Sequence, residues 1–200
     1  MSKDLFAKKS KSWDMNSKRV KNAKAIAEKV VKRIALKPEM RVMDFGAGTG
    51  LLSYFIAPYI DTIVAVDNSP SMLEMFREKS SEFKCKTEVL ELDLNHHNIC
   101  EKFDGIISSM TIHHIEALKP LFQKLYDMLE DGGFVAIADL DREDGTFHSD
   151  NSGVFHFGFE RNVLEKIVEE VGFRDIKFEL ASTINKPHND FTLFLMTAYR

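Results

Sequence analysis

Three glycines at alternate positions, Gly46-Ala47-Gly48-Thr49-Gly50, follow the run Val42-Met43-Asp44-Phe45 and precede Leu51-Leu52-Ser53-Tyr54-Phe55-Ile56-Ala57. A buried strand, a glycine turn and a helix start let backbone come close to a nucleotide-like ligand. The dinucleotide fingerprint G-x-G-x-x-G needs glycine at position 51, where this chain has Leu51, so the spacing argues against a nicotinamide cofactor. Asp67 ends the apolar run Ile63-Val64-Ala65-Val66, and a carboxylate there can accept both hydroxyls of a ribose. Asp93 closes a third run, Thr87 to Leu92, and Ser109 a fourth, Phe103 to Ser109.

A second group of residues could move protons. His113 and His114 follow the fourth run, and His148 and His156 lie in the polar stretch Asp141 to His156. Histidine titrates near neutrality and is the natural general base, although each of these rings could equally hold a loop in place. Asp139, Asp141 and Asp144 are closely spaced acids, but an EF-hand would need glycine one place before Gly145. His96 and His97 are adjacent and diverge on most backbones. No metal is expected.

These residues must be positioned by alternating strands and helices. Val20, Ala23, Ala27, Val30, Val31 and Ile34 predict an amphipathic helix over 19–36, closed by Pro38. Strands are expected at 41–45, 63–67, 87–92, 103–109 and 134–138, with helices at 51–58, from Pro70 to about Ser80, and at 116–129. Ser69 is the expected cap of the helix that Pro70 opens. Asp131-Gly132-Gly133 reads as a helix stop and turn. Asp141 to His156 reads as a loop, 159–171 as a helix stopped by Gly172, and 174–182 and 191–199 as two strands. Their short connection, 183–190, demands that they run antiparallel. The fold class is therefore α/β, a single Rossmann-like unit. It has a seven-stranded, mostly parallel sheet, an antiparallel C-terminal hairpin and helices on both faces.

The glycine loop, the acids at strand ends and the C-terminal hairpin together resemble the class I S-adenosylmethionine-dependent methyltransferases. Most of the resemblance runs from about residue 40 to 140. It implies S-adenosyl-L-methionine (SAM) as cofactor and S-adenosyl-L-homocysteine (SAH) as product. It implies a cofactor site made by Asp44, Gly46, Ala47, Gly48, Gly50, Asp67, Asn68, Met72, Asp93, Leu94 and Ser109. In such a site Asp67 holds the ribose, Asn68 and Met72 line the adenosine pocket, and Asp93-Leu94 meets the adenine. The His113-His114 pair resembles the small-molecule branch, including the quinone-biosynthesis methyltransferases. The chain has no Asp/Asn-Pro-Pro-Tyr or Pro-Cys after the fourth strand, which argues against amino methylation of adenine or glutamine and against a cytosine-C5 nucleophile.

The resulting expectation is methyl transfer to a small-molecule acceptor by in-line displacement. A catalytic residue is not fixed by the sequence, with His113 and His156 the candidates. Trp13, His113, His148 and His156 are the candidate substrate pocket. Residues 1–37 are expected to form a basic cap or lid, 38–140 the cofactor core, and 141–200 the substrate loop, a helix and the hairpin.

Two hundred residues, 44% of them hydrophobic and 29% charged, suit one globular domain. The sequence contains no apolar run long enough to span a membrane, and its two cysteines have no metal-type spacing. These features lead to the expectation of a cytoplasmic protein, monomeric or homodimeric. Net charge is −4, unevenly spread: residues 1–37 hold 12 Lys and Arg against three Asp and Glu, and the remainder 15 against 28. A basic N-terminus suits RNA, but no aromatic residues interleave the lysines, so nucleic acid is not expected. Two other functions fit the motifs: a SAM-binding module that regulates a partner without turnover, and an RNA methyltransferase using the basic N-terminus.

Overall fold

The computed structural model describes Ser12 and residues 14–200. The strands are β1 (Arg41–Phe45), β2 (Thr62–Asp67), β3 (Lys86–Glu91), β4 (Phe103–Ser109), β5 (Leu129–Leu140), β6 (Arg174–Asn185) and β7 (Asp190–Tyr199). The helices are α1 (Ser17–Arg33), α2 (Leu51–Ile56), α3 (Pro70–Lys79), α4 (Leu118–Asp127) and α5 (Arg161–Val171). One seven-stranded sheet has the order β3-β2-β1-β4-β5-β7-β6. β1 to β5 pair in parallel, and β7 enters antiparallel between β5 and β6.

Successive side chains of a strand point to opposite faces, so a strand covered on both sides must be apolar throughout. β1 shows how this works. Val42 packs with the cluster beneath α1, α2 and α3, which includes Ile26, Val30, Leu52, Leu73 and Phe76. Met43 and Phe45 join the opposite cluster, with Phe122 and Leu125 of α4 and Leu164 and Val168 of α5. Asp44 is buried in the same strand at 1% exposure, a placement that needs a chemical reason.

Several boundaries differ from the sequence expectation. α1 starts at Ser17 because the Asn16 side chain accepts from the Lys18 and Arg19 N–H groups, and it ends at Arg33, well before Pro38. α2 covers only 51–56 and gives way to a 3-10 turn at Ala57–Tyr59 that contains Pro58. α4 is shorter than predicted, and Leu129 belongs to β5. Asp131-Gly132-Gly133 therefore does not stop a helix. It lies inside β5, where the pairing register to β4 shifts between Phe103 and Gly105 and lets the strand bulge. β6 and β7 extend the predicted pair to Asn185 and back to Asp190, leaving only residues 186–189 as the turn.

Part of the basic character of α1 is spent within the fold. Lys29 and Arg33 bond the two oxygens of Glu179 at 3.0 and 2.7 Å, and Lys18 reaches the Asn185 carbonyl at 3.2 Å. No helix among the described residues is long and apolar enough to cross a membrane.

Candidate methyl-transfer site

In an open sheet of this kind the chain turns in opposite directions from the two central strands, leaving a crevice beyond their carboxyl ends. Here those strands are β1 and β4, and the predicted residues gather at this rim. The glycine loop closes against β2, with Gly46 and Ala47 N–H groups donating to the Val66 carbonyl at 2.8 and 3.2 Å. Asp67 then organises the loop and the next helix. Its Oδ2 accepts from Gly48 N–H and its Oδ1 from Ser69 N–H, both at 2.8 Å. Ser69 in turn caps α3, as predicted, by accepting from Met72 N–H at 3.3 Å.

Two glycines have different reasons to be glycine. At Gly46, φ is +71° and an added Cβ would lie 2.2 Å from Thr111 Oγ1. At Gly48, φ is +55° but an added Cβ meets no atom within 4 Å, so its surface faces open space over the loop. A loop held by Asp67, bare of side chains and open on its outer side, fits a ligand that packs on backbone. A carboxylate can accept several hydrogen bonds at once, which suits ribose hydroxyls.

The other expected cofactor residues fall around this loop in different ways. Asp93 Oδ1 accepts from Asn95 N–H at 2.8 Å, and the Lys124 ammonium holds the Leu94 carbonyl at 2.5 Å, so the turn after β3 is tied to α4. Leu94 and Met72 are buried, Asn68 is exposed and Ser109 is half-buried. Ala47 packs into the core cluster behind the loop. Asp44 lies beneath it, accepting from Ser53 Oγ at 2.5 Å.

Burial, reinforced by the nearby Asp67 charge and opposed by the Ser53 bond, pushes the Asp44 carboxyl up to about 7. A carboxyl with a native pKa above its unfolded value of 3.8 binds more protons when folded. Its contribution is fully present below about pH 4 and is lost as pH rises through about 7. Asp44→Asn is therefore expected to flatten the fall in unfolding free energy between these pH values, as read from urea titrations. An unchanged pH slope would contradict the assignment.

The histidines converge at the neighbouring strand ends. His113 is 1% exposed and Asp139, at the end of β5, is fully buried. His113 Nδ1 bonds Asp139 Oδ1 at 2.8 Å, and the same carboxylate accepts from the backbone N–H groups of His113 and Leu140 at 3.3 and 2.8 Å. With Nδ1–H committed to the carboxylate, the ring's lone pair is at Nε2. That nitrogen is buried and has no hydrogen-bond partner. The His113, His114 and His148 rings cluster, with centroids 4.1 Å (113–114), 5.0 Å (113–148) and 5.8 Å (114–148) apart. Burial and the adjoining His113, His114 and Lys186 depress the His148 ring to about 4, so it is neutral at pH 7.

The structure divides the candidate histidines by task. His156 Nε2 bonds the Ile115 carbonyl at 2.9 Å and its ring packs 5.2 Å from Phe159, which is an anchoring position. His114 Nδ1 likewise holds the Gly153 carbonyl at 2.6 Å. Trp13 lies outside the described residues. The three acids weighed as a cation site do not converge: Asp141 forms a two-bond pair with Arg161, Asp144 accepts from Thr146, and Asp139 serves His113. No group of three metal-binding side chains occurs among the described residues.

Three roles escaped the sequence reading, which weighs Asp139 only as a cation ligand. Asp139 carried a signal, an acid ending an apolar strand, which is the pattern that picked out Asp44 and Asp67. Met110 adopts φ +58°, a conformation costly outside glycine, as the chain leaves β4, and Thr111 then seats against Gly46. Glu143 accepts from the N–H groups of Gly145, Thr146 and Phe147 at 2.8, 2.8 and 3.1 Å, which fixes the loop that carries His148.

Residues 42–133 match the family model of a methyltransferase domain. An uncharacterized methyltransferase of Schizosaccharomyces pombe is 34% identical over 138 residues, covering 61% of this chain and 49% of that protein. Phosphoethanolamine N-methyltransferase 1 of Arabidopsis thaliana is 28% identical over 152 residues, 73% of this chain and 31% of its own length. Among solved structures, Haemonchus contortus phosphoethanolamine N-methyltransferase 2 in complex with SAM shares the fold at TM-score 0.72. Its identity is 18%, over 100% of this chain and 60% of that one. The chain spans half or less of the length of these two curated relatives. The match to a methyltransferase domain thus covers residues 42–133, and the fold is the one that the SAM-bound neighbour shares.

Proposed function

We propose that this chain binds SAM at the rim made by the Gly46–Gly50 loop, Asp67 and Asp93-Leu94, and methylates a small-molecule acceptor held under the loop at 141–158. The observation that carries this reading is the meeting of two devices at the carboxyl ends of the parallel strands. One is a glycine loop oriented by Asp67, the other a buried Asp139–His113 pair with an unpartnered Nε2. SAM, when bound, supplies a methyl group activated by a sulfonium.

The chain's residues then have separable tasks. Asp67 holds the ribose, and Asp93 with Leu94 borders the adenine. Thr111 and the turn at Met110 separate the glycine loop from the histidine cluster. Loop 141–158 shields the reacting groups from water, and the alignment gained this way is worth roughly 7–11 kcal/mol of barrier. His113 Nε2 takes a proton from the acceptor, and Asp139 stabilises the imidazolium that results. The phosphoethanolamine N-methyltransferase relative supports a small-molecule acceptor.

Calorimetric titration with SAH tests the cofactor half. The native chain is expected to bind, and Asp67→Ala to weaken binding at least tenfold, about 1.4 kcal/mol. No binding by folded native protein would overturn the proposal.

A further inference from the structure

Among the described residues three buried side-chain atoms have no hydrogen-bond partner: His113 Nε2, His148 Nε2 and Glu143 Oε1. Buried polar atoms are almost always satisfied, so each exception asks for a reason. Two of the three belong to imidazoles whose centroids are 5.0 Å apart. We propose that this pair grips a primary amine through its two N–H hydrogens, which makes the site an amine N-methyltransferase site and His148 the residue that selects for nitrogen. This rests on the reading of the rim as a methyl-transfer site.

The argument is a count of donors and acceptors. His113 spends Nδ1–H on Asp139 and presents Nε2 as an acceptor. Burial and its imidazole and cationic neighbours keep His148 neutral, and we place its single ring proton on Nδ1, so that the unpartnered Nε2 also presents an acceptor. A neutral primary amine has two hydrogens and one lone pair. Both hydrogens can be bonded to imidazoles while the lone pair remains free to attack. An alcohol has one hydrogen and leaves one imidazole unpaired. A carboxylate has none and opposes two lone pairs, and a carbon nucleophile satisfies neither ring.

The rest of the loop suits this task. His148 is placed by the Glu143 bonds to the backbone just before it and by the Phe147 ring, 4.8 Å away edge-on. Lys186 donates to the Phe147 carbonyl and lies 4.1 Å over its ring, so its cation is already engaged. In the reaction the amine nitrogen's lone pair forms the new C–N bond to the methyl carbon. The carbon–sulfur bond breaks, and its electron pair returns to sulfur, which becomes a neutral thioether. The N-methylammonium then gives one proton to His113 Nε2, beside Asp139, and leaves as the neutral secondary amine.

The test uses the full chain with methyl-labelled SAM and matched probes: 2-phenylethylamine against 2-phenylethanol, and O-phosphoethanolamine against 2-hydroxyethyl phosphate. At least one amine is expected to be methylated, with kcat/KM exceeding its alcohol partner by about 100-fold or more. His148→Phe keeps a ring and removes the nitrogens. It should raise the amine KM about tenfold with kcat within about threefold, while His148→Asn, which retains an acceptor, recovers most of the loss. SAH affinity should be the same in all three proteins. If SAH fails to bind the native chain, the methyl-transfer reading itself is wrong. If SAH binds but the alcohols are methylated as well as the amines, or no amine is methylated, the amine assignment alone is overturned. Equal KM values in the native and His148→Phe proteins would also overturn it.

Discussion

Replacing His113 with glutamine is expected to lower methyl transfer by about 100- to 10,000-fold, the range of a positioned general base. The SAH dissociation constant should stay within about threefold, because His113 belongs to the acceptor side of the rim. Asp139→Asn offers a second reading of the same pair. An amide cannot balance an imidazolium, so transfer should fall while the fold, monitored by circular dichroism, persists. Loss of SAH binding in parallel with activity in both variants would instead make the pair a structural support of the rim.

Gly46→Ala and Gly48→Ala should fail in opposite ways. At Gly46 the new Cβ would lie 2.2 Å from Thr111 Oγ1, on a backbone with φ +71°. Strain and overpacking together predict a loss of about 2–4 kcal/mol in urea unfolding. At Gly48 no atom lies within 4 Å of the added carbon, so only the cost of φ +55° remains, about 1 kcal/mol. The same carbon would occupy the space in which a ligand packs on the loop. Gly48→Ala should therefore fold almost normally yet bind SAH at least tenfold more weakly, about 1.4 kcal/mol. Normal SAH affinity in Gly48→Ala would mean that the ligand does not lie against this backbone.

The sequence made the cofactor side legible for a physical reason. Parallel strands covered on both faces must be apolar, so an acid such as Asp67 at the end of one stands out, and all such ends meet at one rim. Its bond to Ser69 is local, two residues on, and its bond to Gly48 joins two strand ends that the motif spacing already marks. The acceptor side was less legible. The partner of His113 is Asp139, 26 residues on in the neighbouring strand β5, and its pairing depends on the β4–β5 register. The glycine pair at 132–133 read as a turn because Gly132 does have positive φ, yet tertiary pairing drew it into β5 as a bulge. The positive φ of Met110 had no local cue at all, since methionine has no preference for it.

The most direct test of the account is a crystal structure of the chain with SAH. The account predicts the ribose on Asp67, the adenine beside Asp93 and Leu94, and the thioether sulfur facing the His113–His148 pair. SAH bound with its sulfur turned away from these histidines, or seated elsewhere on the chain, would contradict it.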